Sequence, residues 1–391
     1  MKKITLGIIA HVDSGKTTLS EALLYTSGKL RSFGRVDKGE SFLDSNEMER
    51  KRGITIYSRQ ASFEYGDTAF TLLDTPGHSD FSAEMERTLQ VIDYALLIIS
   101  ASDGIKGQTE TLWKLLSDYD IPVIIFFNKM DQPGNDSRKI LSGFRSQLEE
   151  SCADMTGILN HIADGRIPQG IAGRELEAFY DMAAMCSEEA MEEYLSSGRV
   201  SFDTITDLIF DRKLFPCFFG SALKGDGIRT LLTALDILTL ERDFPEEFGA
   251  RVFKILRDSE NRRLTFLKVT GGQLKVRDTL PDGDSYSKID QIRIYSGDKF
   301  VTANEVSAGD ICAIDGLEHT FSGQGFGYEA ETILPVLSPV LSYSVIPPEG
   351  TDLVKCLADL RKLEEESPEL SVRWNEDTKE ITVCVMGSVQ L

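Results

Sequence analysis

ITLGIIAHVDSGKTT, residues 4–18, decides the fold. The apolar run from Ile4 to Ala10 predicts a strand buried on both faces. Ala10-His11-Val12-Asp13-Ser14-Gly15-Lys16-Thr17 follows at once, and a helical pattern runs from Lys16 to Ser27. Strand, tight loop and helix are the setting of the phosphate loop GxxxxGK[ST], here with Ala10 in place of the first glycine. The loop wraps a phosphate chain while the free N–H groups at the helix start point at the anion. Lys16 would reach the β- and γ-phosphates, and the Thr17 hydroxyl would bind Mg2+. A chance match to a short pattern is the alternative, and the strand before and the helix after weigh against it. Lys2 and Lys3 ahead of the apolar run give the look of a signal peptide. His11 and Asp13 break that run, and no small-residue cleavage site follows.

Outward from this stretch, apolar runs predict strands at 70–74, 95–100, 123–128 and 215–220, with helical patterns over 80–92, 108–119, 137–150 and 227–240. Such alternation predicts a parallel α/β sheet with helices on both faces. The remaining motifs fall at the carboxyl ends of strands, where open α/β sheets bind ligands. Asp74-Thr75-Pro76-Gly77 supplies a carboxylate that can hold Mg2+ through water, and a plain turn is its alternative in isolation. In Asn128-Lys129-Met130-Asp131, a carboxylate can accept from the N1–H and 2-amino group of guanine, a pair of donors that adenine lacks. A polar loop capping a helix is the alternative for that piece alone. Ser221-Ala222-Leu223 could contact the guanine oxygen through its backbone and says little by itself. Together and in this order, the four pieces predict a GTP-binding domain.

The texture changes near Asp243. Short β-rich pieces at 250–256, 264–270, 288–295 and 310–314 are parted by turns such as Gly271-Gly272 and Asp282-Gly283. They predict an antiparallel β-barrel over 242–334. From Pro335 the pattern gives one strand (340–346), one helix (352–366, capped by Thr351) and one hairpin (370–374 and 380–385). The chain stops in the apolar Ser388-Val389-Gln390-Leu391, which suggests a fragment cut inside a domain. The GTP-binding domain spans 1–241, with an insertion at about 151–212 expected to pack its own small core around Met182, Met185 and Met191. Trp113 and Trp374 are expected in packing roles, and Glu364-Glu365-Glu366 as a solvated helix end.

The 391 residues carry 42 Lys and Arg against 63 Asp and Glu, a net charge of −21. That excludes binding to naked DNA through overall charge, though not a ribonucleoprotein met through a local basic patch. With 41% hydrophobic and 27% charged residues the composition is that of a soluble globular protein. No apolar run reaches the ~18 residues of a membrane helix, so no membrane partner is expected. Six scattered cysteines without a CxxC predict reduced thiols in a cytoplasmic protein rather than a metal site or disulfide framework. A monomer is expected.

AHVDSGKTT at 10–18, RGITI at 52–56, DTPGH at 74–78, NKMD at 128–131 and SAL at 221–223 resemble the ribosome-dependent translational GTPases. The barrel fits their second domain, and RKLEEESPELSV at 361–372 and MGSVQL at 386–391 resemble the start of the third domain of elongation factor G. Within this group ALLYTSGKL…GRVDKG at 22–39, ERKRGITI at 49–56 and DTPGHSDFSAEMERTL at 74–89 are most similar to the tetracycline-resistance ribosomal protection proteins. So is the stretch between Asp131 and Ser221, where elongation factor G carries a larger inserted subdomain. Ser14 departs from the Ala or His that relatives often have, and MGSVQL from their MGE-x-x-L. The fingers of the far domain that would reach a drug site are absent from this sequence.

The resemblance implies an α/β P-loop GTPase domain, a β-barrel and an incomplete ferredoxin-like third domain over 335–391. It implies GTP or GDP with Mg2+, held by Ala10, His11, Val12, Asp13, Ser14, Gly15, Lys16, Thr17 and Thr18 with Asp74, Asn128, Lys129, Asp131, Ser221, Ala222 and Leu223. Thr17, Thr55 and Asp74 are implied to hold the metal. Thr55 would close over the γ-phosphate, Gly77 would bond it through its backbone, and His78 would orient the attacking water. Val12 and Ile54 would form an apolar gate for His78, and Asp13 would help hold a monovalent cation or the closed loop. The order of residues about 35–56 and 76–90 would differ between the GTP and GDP states. The implied partner is the ribosome, from which the parent would release tetracycline; an elongation-factor-G-like paralogue without a resistance role is the alternative. A metabolic P-loop kinase is disfavoured by NKMD and the barrel, and a non-hydrolysing scaffold by the intact site residues. His161 and His319 lie in no motif and are expected to be structural.

Overall fold

The computed structural model describes residues 1–34, 42, 55–164, 171–348 and 350–391. Ile54, with Arg52 and Gly53 of the RGITI motif, lies outside the described residues. The chain divides into two compact units, Met1–Gly53 with Arg59–Asp74 and Ile92–Arg242, and Ile54–Ser58 with Thr75–Val91 and Asp243–Leu391.

The first unit is built on a seven-stranded sheet of β1 (Lys2–Ala10), β2 (Arg59–Tyr65), β3 (Thr68–Asp74), β4 (Tyr94–Ser100), β5 (Val123–Asn128), β6 (Cys152–Asp154) and β7 (Phe215–Phe219). Their order is β2-β3-β1-β4-β5-β7-β6, parallel except for β2. Every residue of β4 and β5 is buried, which is why both read as unbroken apolar runs. β1 lies between β3 and β4, with Leu6 beside Leu72 and Tyr94. The loop leaving β1 therefore starts where strand order reverses, the switch point at which such sheets bind ligands. Ile4, Leu6 and Ile8 share one core with Leu19 and Leu23 of the helix Lys16–Thr26 and with Leu231 and Leu235 of the helix Ile228–Leu238.

Two strands carry no clear signal in the sequence: the antiparallel edge β2 and the three-residue β6. Among the described residues of 151–212 no separate core forms. Met155, Ile158, Phe179 and Ile205 join the same core as Leu6, Met182 and Met191 pack against it, and Met185 is exposed. Trp113 packs on Phe215 and Phe144, as expected.

In the second unit the antiparallel module comprises β8 (Gly249–Arg257), β9 (Arg263–Gly271), β10 (Gln273–Lys275), β11 (Thr279–Asp282), β12 (Ser285–Lys288), β13 (Gln291–Ser296), β14 (Lys299–Ala303), β15 (Glu305–Ser307), β16 (Ile311–Asp315) and β17 (Gly325–Gly327). Six of these pair in the order β14-β13-β16-β9-β8-β17, around Val252, Leu267, Val269, Ile292 and Ile314. The piece expected as one strand over 288–295 is two, because the backbone at Ile289 and Asp290 turns to bond Asp278 and Asp315.

Further along, β18 (Leu341–Val345), β19 (Arg373–Asn375) and β20 (Glu380–Val385) form a sheet in the order β18-β20-β19. The helix Leu353–Glu366 packs on it through Leu357 and Leu360, yet none of its residues is fully buried. Its cap is Asp352, which accepts from the Val354 N–H, rather than Thr351. The glutamates at its end are not merely solvated. Glu365 pairs with Arg257 and Arg263, each at 2.9 Å, and Glu366 accepts from the Arg257 backbone at 3.0 Å.

Candidate functional site

In the first unit the phosphate loop takes a conformation that its sequence permits. Asp13 and Gly15 adopt left-handed φ of 63° and 90°. A Cβ at Gly15 would overlap the Asn128 side-chain amide, so this close approach needs glycine. Gly15 is also the N-cap of the helix Lys16–Thr26, whose first N–H groups form a ready anion site. Lys16 Nζ lies 2.5 Å from Asp74 Oδ1, both side chains buried, and Ser20 Oγ is 3.4 Å from the same oxygen. The Ser14 hydroxyl and both ring nitrogens of His11 are buried without hydrogen-bond partners among the described residues. Burial, with Lys106 the next cause, pushes the His11 imidazole below its ordinary pKa. The Val12 N–H donates to Gln108 Oε1 at 3.4 Å. Thr17 and Thr18 are half-buried on the first helical turn.

Asn128 ties three motifs together. Its Nδ2 donates to the Ser14 carbonyl at 2.8 Å, and its Oδ1 accepts from the Ala222 N–H at 2.9 Å. Lys129 stands at φ 64°, its carbonyl accepting from Asn135 Nδ2 at 2.9 Å, and the Met130 N–H bonds the Gly220 carbonyl at 3.0 Å. Asp131 is exposed and faces Lys224 at 3.6 Å. The Ser221 hydroxyl, aided by Lys224, holds its carboxyl below the usual range. Ser221 and Ala222 are buried while Leu223 is exposed. The first unit thus brings together residues 10–18, Asp74, Asn128, Lys129, Asp131 and Ser221–Leu223.

The donor set fits a nucleotide with a hard cation. Orphaned polar groups, a backbone cradle, one buried lysine and one buried carboxylate converge, with threonine hydroxyls on the first helical turn. Among the described residues no group of three His, Cys, Asp or Glu side chains is placed to hold a metal ion. Ser20, Gln108 and Lys224 are neighbours that motif reading misses; Lys224, next to SAL, had the best positional hint.

Thr55, Gly77 and His78 belong to the second unit. Thr55 is buried. His78 caps a 3-10 turn, Ser79–Phe81, by accepting from the Asp80 N–H at 3.2 Å. The helix Ser82–Leu89 follows, so the helical pattern over 80–92 resolves into a turn and a shorter helix. Glu84 in that helix is buried between Lys254 and Arg87, each 2.7 Å away. Burial alone would raise its carboxyl, but the two cations outweigh burial and hold it at about 2. Arg87 also pairs with Glu369 at 2.6 Å.

Three family models match the chain: the elongation factor Tu GTP-binding domain over residues 1–240, elongation factor G domain 2 over 247–326 and elongation factor G domain III over 336–391. The tetracycline resistance protein TetP of Clostridium perfringens is 32% identical, across 100% of this chain and 62% of its own length. Elongation factor G of Ureaplasma parvum serovar 3 is 30% identical, across 98% of this chain and 64% of its own. A crystal structure from Thermus thermophilus shares the fold at a TM-score of 0.85 and 23% identity, covering 99% of this chain and 64% of that one. The chain thus spans less than two thirds of the length of these relatives. Among the described residues no helix is long and apolar enough to cross a membrane.

Proposed function

The chain belongs to the elongation factor family of GTP-binding proteins, and from that membership we propose that it binds GTP with Mg2+ and hydrolyses it when docked on the ribosome. The observation that carries the reading is the Asn128 tie, which joins the phosphate loop to the Ser221–Leu223 loop as a guanine nucleotide site requires. Residues 10–18 wrap the phosphates, and Lys16 neutralises the β- and γ-oxygens. Thr17, Thr55 and Asp74 would hold Mg2+, which would offset charge developing on the phosphates. Asp131 reads the guanine edge, with Lys129 against the base and Ser221, Ala222 and Leu223 behind it. Gly77 would bond the γ-phosphate through its backbone, and His78 would orient the attacking water. Asp13 supports a monovalent cation at the loop.

The full-length parent, cytoplasmic and monomeric, would release tetracycline from the ribosome, a reading supported by likeness to TetP over the whole chain. Likeness to elongation factor G over 98% of it favours, as the second reading, a translation factor without a resistance role. Two measurements test these proposals: GTP turnover by this chain with and without ribosomes, and tetracycline release in a translation assay with the full-length parent. Turnover that ribosomes leave unchanged would defeat the first, and an unchanged drug block would leave the translation-factor reading.

A further inference from the structure

Asp80 touches His78 on one side and the turn at 386–390 on the other. Its N–H donates to Nδ1 of His78 at 3.2 Å. The Asp80 carboxylate accepts from the Val389 N–H at 2.5 Å, while its other oxygen lies 3.3 Å from His78 Nδ1. The whole carboxyl group rests against Gly387, where a Cβ would overlap Oδ1, Cγ and Oδ2 together. The turn is braced from within: the Met386 N–H bonds Gln390 Oε1 at 2.8 Å, and Gln390 Nε2 reaches Glu369 at 3.2 Å. Glu369 in turn grips Arg87, one helix past His78, and the neighbouring Glu86 accepts from the N–H groups of Val336 and Leu337.

We infer that Asp80 is a positioning residue, and that the 386–390 turn orients the His78 ring through it. The inference rests on the proposed role of His78 in orienting water, and deepens it. A surface imidazole with one hydrogen bond can rotate about two side-chain bonds. Here the donor to that bond is held by a side chain locked on bare backbone at Gly387 and Val389, so the ring is held at second hand. An aspartate that served only the first turn of the 3-10 helix would not need this seat, and Gly387 could then carry a methyl group.

The test uses the 391-residue chain with 15N-labelled histidine, its His78 signals assigned by their loss in His78→Ala. Wild type should show one dominant tautomer. Gly387→Ala and Asp80→Ala should give mixed tautomers, and Asp80→Asn, which keeps an acceptor for Val389, should restore the wild-type pattern. With ribosomes, kcat should fall about tenfold or more in the first two variants while KM for GTP stays level, as expected when a reacting group is misplaced rather than lost. Unchanged ring signals in both Gly387→Ala and Asp80→Ala overturn the inference. Should the ring signals change while these variants and His78→Ala all turn over at the wild-type rate, the seat of the ring stands and the catalytic reading of His78 falls. Asp80→Ala and Asp80→Asn keep the test open should Gly387→Ala fail to fold.

Discussion

The end of β1 and the 336–391 segment hold functional groups by different means. Around the phosphate loop, nearly every strand residue is buried on both faces, and Asn128 links separate loops by bonds of 2.8 and 2.9 Å. The 336–391 segment has a small core of Val372, Ile381 and Val383, with Leu341, Tyr343, Val354 and Ile346 exposed. Its ties to residues 80–87 are an ion pair and backbone N–H bonds to carboxylates: Glu369 to Arg87, Val389 to Asp80, and Val336 and Leu337 to Glu86. Close packing makes a site rigid in all directions, whereas a few polar ties fix one geometry and let the rest open at low cost. The first arrangement suits a pocket that must bind, and the second leaves the 336–391 segment able to open locally at lower cost.

The largest effect should come from Lys16→Ala. Nucleotide binding should be lost, because the phosphates lose their main cation. Stability should also fall by about 3–5 kcal/mol, because the buried Asp74 charge is left without the ammonium beside it. Titration calorimetry and urea unfolding read the two losses. Retained tight binding would show that the loop backbone suffices.

Packing is tested by paired truncations. Leu6→Ala, fully buried in the first unit, should cost about 3 kcal/mol, and Leu357→Ala, on a helix with no fully buried residue, only about 1 kcal/mol. Hydrogen exchange on the wild type should agree, with amides over 341–385 opening well before those of β4 and β5. Equal protection in the two regions would mean that the 336–391 segment is as firmly packed as the sheet.

Base choice should give a smaller change. Asp131→Asn should weaken GTP by roughly ten- to a hundredfold, the worth of hydrogen bonds to a charged group. It should improve xanthosine triphosphate, whose second carbonyl can accept from the new amide. An unaltered GTP dissociation constant would remove Asp131 from the base site.

What the sequence made legible follows the same divide. The phosphate loop and NKMD could be recognised because their strands are continuous apolar runs and their residues are consecutive. The Asn128 tie to Ala222, the Glu84–Lys254 pair and the Asp80–Val389 seat join residues far apart in the chain, so no local period marks them. β6 has three residues, too few to show a pattern, and the core of residues 151–212 looked separate because its apolar residues are local while the sheet they cover is not.

The smallest expected effect separates the two units by pH. The folded imidazole of His11 titrates below its ordinary 6.5, first through burial and then through Lys106, with Lys129 adding and Asp103 and Asp13 opposing. Below pH 6.5 the unfolded chain therefore takes up a proton that the folded chain refuses. The stability contributed by neutral His11 is complete above 6.5 and is lost as pH falls toward its lower folded value. Glu84 follows the same sign in a lower window: its contribution is complete above 4.5 and is lost as pH falls toward about 2. Between pH 6.5 and 4.5 the first unit should therefore weaken while the second holds. The two tryptophans make this observable, since Trp113 lies in the first unit and Trp374 in the second. In the single-tryptophan variants Trp374→Phe and Trp113→Phe, the melting temperature reported by Trp113 should drop over this range and that reported by Trp374 should not. His11→Gln, which cannot titrate, should flatten the Trp113 response. A Trp113 transition already flat in the His11 protein would show that the buried imidazole does not sense pH, and the orphaned ring nitrogens would then need another explanation.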